Sequence, residues 1–153
     1  MKRFTTLMTA IICISIIFTG CGKNTKREQE FYDAVLYSQE LLDILADDIY
    51  DNWYDCIYDD LYSGNINVAV ADALSENEDN IEKIEANDKK IKALYSEIKD
   101  GDLKEEAKDV MNSYNDYYAL VMEVSGSFKS YSEEKEKYKK ELSSSLRDFS
   151  IEL

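Results

Sequence analysis

Five aspartates recur every four residues in one stretch of the chain: Asp43, Asp47, Asp51, Asp55 and Asp59. Carboxylates bind calcium and cationic partners. In a helix, however, each step of four residues turns the side chain by about 40°, so the row winds around the helix and does not converge on one ion. The row therefore predicts either a weak cation or partner surface, or a solvated face. We favour the solvated face, partly screened by Lys135, Lys137, Lys139 and Lys140.

Aromatic and polar residues on the same helical pattern predict either ligand contacts or core contacts. The residues considered for both roles are Trp53, Tyr114, Tyr118, Asn77 and Asp88. Tyrosines also recur at positions 50, 54, 58 and 62, and Tyr114, Tyr117 and Tyr118 are expected to cluster near Trp53. Such aromatics are more often core and boundary residues, and polar residues in an apolar seam fix the register of helices. We favour that interpretation here.

Several kinds of chemistry are absent from the sequence. Histidine does not occur, which removes the usual general base and the usual zinc ligand. No nucleophile elbow, phosphate-binding glycine loop or EF-hand spacing is present. We therefore expect no enzymatic activity, no cofactor and no metal site with histidine ligands. Cys56 is the only thiol after Cys21, and its helical register predicts a buried side chain.

The first residues have the layout of a secretory signal, with Lys2 and Arg3 followed by an apolar run over residues 4–18. This run is shorter than the roughly 20 residues that span a bilayer. The sequence Phe18-Thr19-Gly20-Cys21 resembles the lipobox of bacterial lipoproteins, with Phe18 where leucine is usual. The resemblance implies that residues 1–20 are removed and that Cys21 is lipidated, which places the protein on the outer face of the cell membrane. The alternative is an uncleaved signal anchor.

The net charge of the chain limits the kinds of partner that it can bind. After Cys21 the chain has 16 basic and 32 acidic residues, a net charge of −16, because Lys2 and Arg3 are the only charged residues before it. We therefore expect no nucleic-acid partner. Residues 21–27 form a basic tether containing Lys23, Lys26 and Arg27, which either contacts anionic head groups or serves as a spacer.

Residues 28–153 are expected to form an all-α domain. Apolar residues alternate in steps of four and three over residues 28–62, 67–99 and from 103 onward, with turns at Gly64 and Gly101. This pattern predicts an antiparallel bundle of three long, coiled-coil-like helices. The third is expected to be kinked near Gly126, with a fourth helical segment over residues 129–152. That segment either folds back, giving a four-helix bundle, or projects, and self-association is compatible with both.

Two short stretches look similar to a broad group of uncharacterised helical lipoproteins of Gram-positive bacteria. They are Trp53-Tyr54-Asp55-Cys56-Ile57 and residues 125–132, Ser-Gly-Ser-Phe-Lys-Ser-Tyr-Ser. The resemblance implies a location and an architecture but no site. We expect a tethered interaction module that presents an acidic, tyrosine-rich face to a protein or cell-wall component. The alternative is a bundle that binds a small ligand or a cation at the cell surface, with its tyrosines facing a void.

Overall fold

A computed structural model describes residues 25–99 and 101–153, without the side chain of Asp102. Within these ranges the chain is all-helical, which confirms the predicted class. The helices are α1 (Lys26–Tyr58), α2 (Ile66–Glu76), α3 (Glu78–Glu97), α4 (Asp102–Met122) and α5 (Phe128–Glu152), with a tight turn at Leu61–Gly64. The predicted signal peptide and the lipidated Cys21 lie outside the described residues.

Helix α1 begins earlier and ends earlier than predicted. It starts at Lys26, so the last two residues of the predicted tether belong to the bundle. Arg27 pairs with Glu30 at 2.9 Å and with Glu97 at 3.0 Å. At the other end, Asp59 is the C-cap and Asp60 adopts a left-handed conformation with φ 57°. Acidic residues oppose the negative end of the helix dipole, which favours an end at this point rather than at residue 62.

The second predicted helix, residues 67–99, is two helices. Asn65 caps α2 by accepting from the backbone N–H of Val68 at 3.4 Å. The break falls at Asn77, whose side chain donates to Asp48 Oδ2 at 2.7 Å and to the carbonyl of Ala73 at 3.0 Å. An asparagine amide that competes for backbone acceptors in this way favours a helix end. The apolar periodicity continues across the break, so it could not reveal it.

The predicted kink near Gly126 is present, and α5 folds back rather than projecting. Gly126 has φ +87°, a conformation that L side chains rarely adopt. Ser127 then caps α5 together with Ser130 in a capping box. Helix α5 packs against both α4 and α1.

Contacts along α1 give the directions of its neighbours. Arg27 contacts Glu97, and Asn52 donates to the carbonyl of Ala69, so α2 and α3 run antiparallel to α1. Helix α5 is also antiparallel to α1, because Gln39 donates to Ser143, whereas Asp47, later in α1, pairs with Lys135, earlier in α5. Within the described ranges, the backbone of α2 approaches α1, α3 and the turn, but neither α4 nor α5. One side of α2 is therefore uncovered.

The core runs along the bundle between these helices. Its largest fully buried side chains include Phe31, Tyr114, Tyr117, Tyr131 and Phe149. Cys56 is 3% exposed and unpaired, so the prediction of a buried thiol is confirmed. None of the described helices is both long enough and apolar enough to cross a bilayer.

Candidate functional site

The first two aspartates of the row are bound by helix α5. Lys135 lies 2.5 Å from Asp47, and Lys139 lies 3.1 Å from Asp43. The two aspartates are four residues apart on α1 and the two lysines are four residues apart on α5, so both ion pairs can form between these antiparallel helices. Lys135 is only 8% exposed, and its ammonium also lies 4.6 Å from the centre of the Tyr50 ring. Two of the four lysines predicted to screen the row therefore do so by direct ion pairs.

Tyrosine hydroxyls complete this contact between helices. Tyr117 donates to Asp43 Oδ1 at 2.6 Å, and burial together with this carboxylate raises the pKa of Tyr117 far above its usual value. Burial also raises the pKa of Tyr131, whose hydroxyl donates to the carbonyl of Ala46 at 3.3 Å. Burial lowers the pKa of Lys139, but the hydrogen bond and charge of Asp43 outweigh that effect and the net shift is upward. This part of the acidic row is structural.

The remaining aspartates of the row, Asp51, Asp55 and Asp59, are exposed or half-buried. They form no ion pair within the described residues. In the same part of the chain, no three carboxylates lie close enough together to hold a metal ion. The lower part of the row is therefore an open anionic surface rather than an ion cage.

The charge around this surface is strongly one-sided. Between Arg27 and Lys83 the chain has 16 acidic residues and no lysine or arginine. This stretch contains almost all of α1, the turn and all of α2. Lys135 and Lys139 of α5 neutralise charge near the middle of α1, but the C-terminal end of α1 keeps its acids unpaired within the described ranges. Unbalanced charge here is unfavourable for folding and favourable for a cationic partner.

Tyrosines stack along the same end of α1. The ring centres of Tyr54 and Tyr58 are 4.6 Å apart, and Tyr50 is 6.3 Å from Tyr54. Phe128, the first residue of α5, lies within 6.2 Å of all three rings. Tyr54 is 41% exposed and Tyr58 is 61% exposed. Three members of the tyrosine row predicted at positions 50, 54, 58 and 62 therefore form a continuous aromatic surface, whereas Tyr62 lies in the turn that follows α1.

Exposed aliphatic side chains extend this surface onto the turn and α2. We call the combined patch the aromatic end; it comprises Tyr54, Ile57, Tyr58, Leu61, Ile66 and Val68, each at least 39% exposed. Six large apolar side chains exposed at one end of a bundle are unusual for a protein that acts alone, since large apolar patches mark interaction sites.

The turn within the aromatic end is strained. Asp60, Tyr62 and Ser63 have φ of 57°, 56° and 51°, left-handed values that residues with a side chain rarely adopt. Tyr62 donates to Asp72 Oδ2 at 2.9 Å, and loss of solvation together with this carboxylate raises the pKa of Tyr62 to about 12. Strained conformations of this kind cost about 1–3 kcal/mol each and concentrate at binding sites.

A groove opens beside the aromatic end, with a volume of about 360 Å³. It lies between the uncovered side of α2 and the connection from α4 to α5. Its lining residues are Trp53, Ile66, Asn67, Val70, Ala71, Leu74, Val124, Ser125 and Gly126. Trp53 is 4% exposed, and its indole Nε1 has no hydrogen-bond partner among the described residues. Ile66 belongs both to the groove and to the aromatic end, so the two surfaces are continuous.

The other predicted ligand contacts lie elsewhere. Tyr114 is buried with its hydroxyl 3.5 Å from Ser38 Oγ, and it packs against Tyr118 with ring centres 5.9 Å apart. Burial raises the pKa of Tyr114, the hydrogen bond with Ser38 lowers it, and the charge of Asp88 raises it again, with a net upward shift. Ser38 and Trp53 are 15 residues apart on α1, or about 22 Å, so Tyr114 is not near Trp53 as expected. Asn77 is at the junction of α2 and α3.

Some residues of this region were missed by sequence reasoning. Ala71 had no assigned role, and Phe128 was predicted only as an apolar position of the third helix, not as a contact of the tyrosines on α1. Asn87 was also missed; it is 9% exposed and donates to the carbonyl of Ala34 on α1 at 2.6 Å. Its position beside Asp88, in register with Ile84 and Ile91, was a signal for a polar contact between helices.

No protein-family model, curated protein or solved structure matches the chain. The grounds for its function are therefore its own residues and their contacts.

Proposed function

We propose that this protein is a lipid-anchored lipoprotein of the outer face of the cell membrane and that its helical domain is an interaction module. The observation that supports the module is the aromatic end, where stacked tyrosines and exposed aliphatic side chains lie beside carboxylates that form no ion pair within residues 25–99 and 101–153. Tyrosine is enriched in the energetically important parts of protein interfaces because it combines a large apolar area with a hydroxyl. The partner is a protein or cell-wall component with complementary positive charge.

The position of the aromatic end supports this proposal. The proposed anchor, Cys21, precedes the first residue of α1 by five residues. Helix α1 has 33 residues and is therefore about 50 Å long. The aromatic end is at its far end, so an anchor at Cys21 allows the domain to present this surface well away from the bilayer. Arg27 would stay close to the anchor.

The packing of the inner tyrosines favours an interaction module over a bundle that binds a small ligand or a cation. Tyr114, Tyr117 and Tyr131 are fully buried, and their hydroxyls face Ser38, Asp43 and the carbonyl of Ala46. Tyr54 and Tyr58, in contrast, are exposed in a continuous patch. A ligand-binding bundle would need the opposite arrangement, with tyrosines around an internal void.

The test uses a photoreactive phenylalanine analogue in place of Tyr58, with the full chain expressed in intact Gram-positive cells. Tyr37 is the matched control, because it is also an exposed tyrosine of α1 but lies nearer its other end. Irradiation is expected to give a discrete cross-linked adduct from position 58 and none from position 37. The proposal of an interaction module is wrong if positions 54, 58 and 66 all give no adduct, or if position 37 gives the same adduct as position 58.

The anchor is tested in the same cells with an alkyne fatty acid. Label is expected on the wild-type chain and on Cys13→Ser, and its loss is expected in Cys21→Ser. Equal labelling of both variants would contradict the anchor and leave the result on the module unaffected, because cross-linking is scored on the adduct alone.

A further inference from the structure

The last turns of α1 expose tyrosines and aspartates on one face of the helix. Each residue of an α-helix turns the side chain by about 100°, so four side chains share an arc of about 100°: Asp51, Tyr54, Asp55 and Tyr58. Tyr54 and Tyr58 are 41% and 61% exposed, and Asp51 is also exposed. The two aspartates are on the side of the arc nearer to Asn52, which contacts α2. Apolar rings and carboxylates are therefore neighbours here.

Helix α2 adds a row of the same composition. Val68, Asp72 and Glu76 are spaced by one helical turn, and Val68 is 50% exposed. The Tyr62 hydroxyl, which donates to Asp72 at 2.9 Å, lies between this row and α1. Loss of solvation raises the pKa of Tyr62, and the charges of Asp72, Glu76 and Asp55 raise it further. Carboxylates of both helices therefore act on one hydroxyl. We call the two rows together the outer face.

The carboxylates of the outer face have no cationic partner within residues 25–99 and 101–153. Four of them form no ion pair there: Asp51, Asp55, Asp72 and Glu76. The sequence has no lysine or arginine between Arg27 and Lys83. A cationic partner would therefore gain electrostatic attraction at the outer face without displacing an ion pair of the bundle.

The outer face offers a partner side chains but no backbone groups. The backbone donors and acceptors of α1 and α2 are used within these helices. An extended peptide commonly binds by pairing its own backbone with a sheet edge, and the described part of the chain contains no strand. A helical segment satisfies its backbone internally and presents only side chains. The outer face is therefore suited to a helix rather than to an extended segment.

The spacing of the carboxylates also matches a helix. Asp51 and Asp55 are one turn apart on α1, and Asp72 and Glu76 are one turn apart on α2. Side chains four residues apart on a helix that lies along this face repeat at the same interval of about 6 Å. Basic residues at such positions would meet carboxylates, and apolar residues beside them would meet the tyrosine rings.

We propose that the outer face binds an amphipathic, cationic α-helix of a partner protein. The apolar side chains of this helix pack on Tyr54, Tyr58 and Val68, and its lysines or arginines pair with the neighbouring carboxylates. This inference rests on the proposed function and names the kind of partner that the aromatic end receives.

The test uses the full chain in phosphatidylcholine vesicles, with the photoreactive phenylalanine analogue at position 58. The probe is a capped peptide of lysine and leucine, about 18 residues long so that it can form a helix, with leucine at positions i, i+3, i+4 and i+7. Irradiation is expected to give an adduct whose yield saturates with peptide concentration. A peptide of the same composition with alternating lysine and leucine should give much less, because alternation does not place the leucines on one face of a helix. Equal yields from the two peptides would overturn the inference.

A pair of substitutions tests the role of the carboxylates. Asp51→Asn with Asp55→Asn removes two charges from the outer face, and Glu105→Gln with Asp109→Asn is the matched control, because these residues are also exposed and one turn apart, but on α4. The peptide concentration at half-maximal adduct should rise about fivefold or more in the first variant and stay unchanged in the control. Circular dichroism shows whether both variants keep their helices. Equal values in the first variant and the wild type would contradict charge recognition at this face.

The cellular cross-linking separates this inference from the proposed function. If position 58 gives its cellular adduct but the helical peptide gives none, the helical partner is wrong and the interaction module remains. If positions 54, 58 and 66 give no adduct in cells and the peptide gives none at position 58, both proposals are wrong.

Discussion

At the scale of single residues, aspartates of α1 bind a tyrosine of α4 and two lysines of α5. Asp43 accepts from Tyr117 and pairs with Lys139, while Asp47 pairs with Lys135. These contacts need the ionised carboxylates and the protonated tyrosine at the same time. The bundle therefore depends on pH through its tyrosines at the alkaline end of the range.

We expect stability to fall steeply above pH 10. Burial raises the pKa of Tyr114, Tyr117 and Tyr131 above the ordinary value of 10.0. Above pH 10 the unfolded chain releases protons that the folded chain retains, so rising pH favours unfolding. Each tyrosine contributes a loss of about 1.4 kcal/mol between pH 9 and pH 11, and its contribution is complete below pH 9. The free energy of unfolding from urea titrations at several pH values measures this loss.

The variant Tyr117→Phe identifies the source of the effect. It should be less stable than the wild type at pH 8, because Asp43 loses a hydrogen bond. Between pH 9 and pH 11, however, its free energy of unfolding should fall by about 1.4 kcal/mol less than that of the wild type. Tyr37→Phe, which changes an exposed tyrosine, is the control and should follow the wild-type profile. Parallel profiles for Tyr117→Phe and the wild type would contradict this account.

Only some of the contacts between residues of different helices could be predicted from the sequence. Lys135 and Lys139 repeat the spacing of Asp43 and Asp47, so screening of the row could be predicted from an antiparallel arrangement. The position of Tyr114 could not, because it depends on how far α4 is shifted along α1. Tyr114 therefore meets Ser38, not Trp53. No local pattern reports such a shift.

At the scale of helices, the breaks decide which surfaces are exposed. The end of α1 at Tyr58 and the strained turn create the aromatic end, and the connection at Gly126 forms one wall of the groove. Gly126 was predictable because glycine between two serines interrupts an otherwise regular pattern. The break at Asn77 was not, since the apolar spacing continues through it and the deciding contact is with Asp48 on another helix.

Substitutions at two glycines are expected to separate backbone strain from crowding. Gly64 has φ +70° with open space around the position of a Cβ, whereas Gly126 has φ +87° and its Cβ would lie 2.9 Å from Ser130 Oγ. Gly64→Ala should cost about 1 kcal/mol from the left-handed conformation alone. Gly126→Ala should cost more, because Ser130 also belongs to the capping box of α5.

Urea unfolding of the two variants at pH 8 measures this difference. An equal loss of stability in both would mean that Ser130 moves aside without cost and that the capping box contributes little. A larger loss in Gly64→Ala than in Gly126→Ala would contradict the predicted cost of crowding against Ser130.

At the scale of the whole molecule, the charge of −14 is the dominant feature. Most of it is concentrated on α1, the turn and α2, and the charge repulsion of that side is a permanent cost to the folded state. From composition we expected no nucleic-acid partner, and a cationic partner was only the less favoured of two interpretations of the acidic row. The structure adds that this negative charge is concentrated beside an apolar patch.

Salt is therefore expected to stabilise the protein. Screening of neighbouring acids should relieve about 1 kcal/mol in total and raise the melting temperature by about 3 °C between 20 and 500 mM sodium chloride. The triple variant Asp51→Asn, Asp55→Asn, Asp59→Asn should show a smaller rise, because it lacks the unpaired part of the row. Circular dichroism melts measure both. A melting temperature that falls with salt would show that ion pairs outweigh repulsion.

Calcium and magnesium at equal ionic strength distinguish screening from binding. We expect the two ions to give equal melting temperatures, since no three carboxylates in residues 25–99 and 101–153 lie close enough to hold an ion. A rise specific to calcium would revive the cation-binding alternative. Melts at several protein concentrations in the same series test self-association, which would make the midpoint fall on dilution.

The absence of basic residues between Arg27 and Lys83 also determines how the protein is degraded. Proteases that cleave after lysine or arginine find no site in this stretch, although it contains an exposed turn of the kind that proteases usually attack first. Such enzymes can cut near the start of α1 and in the later helices, where lysines are frequent. The aromatic end would therefore remain in one uncut fragment, residues 28–83, after complete digestion by a trypsin-like enzyme, while the later helices are cleaved.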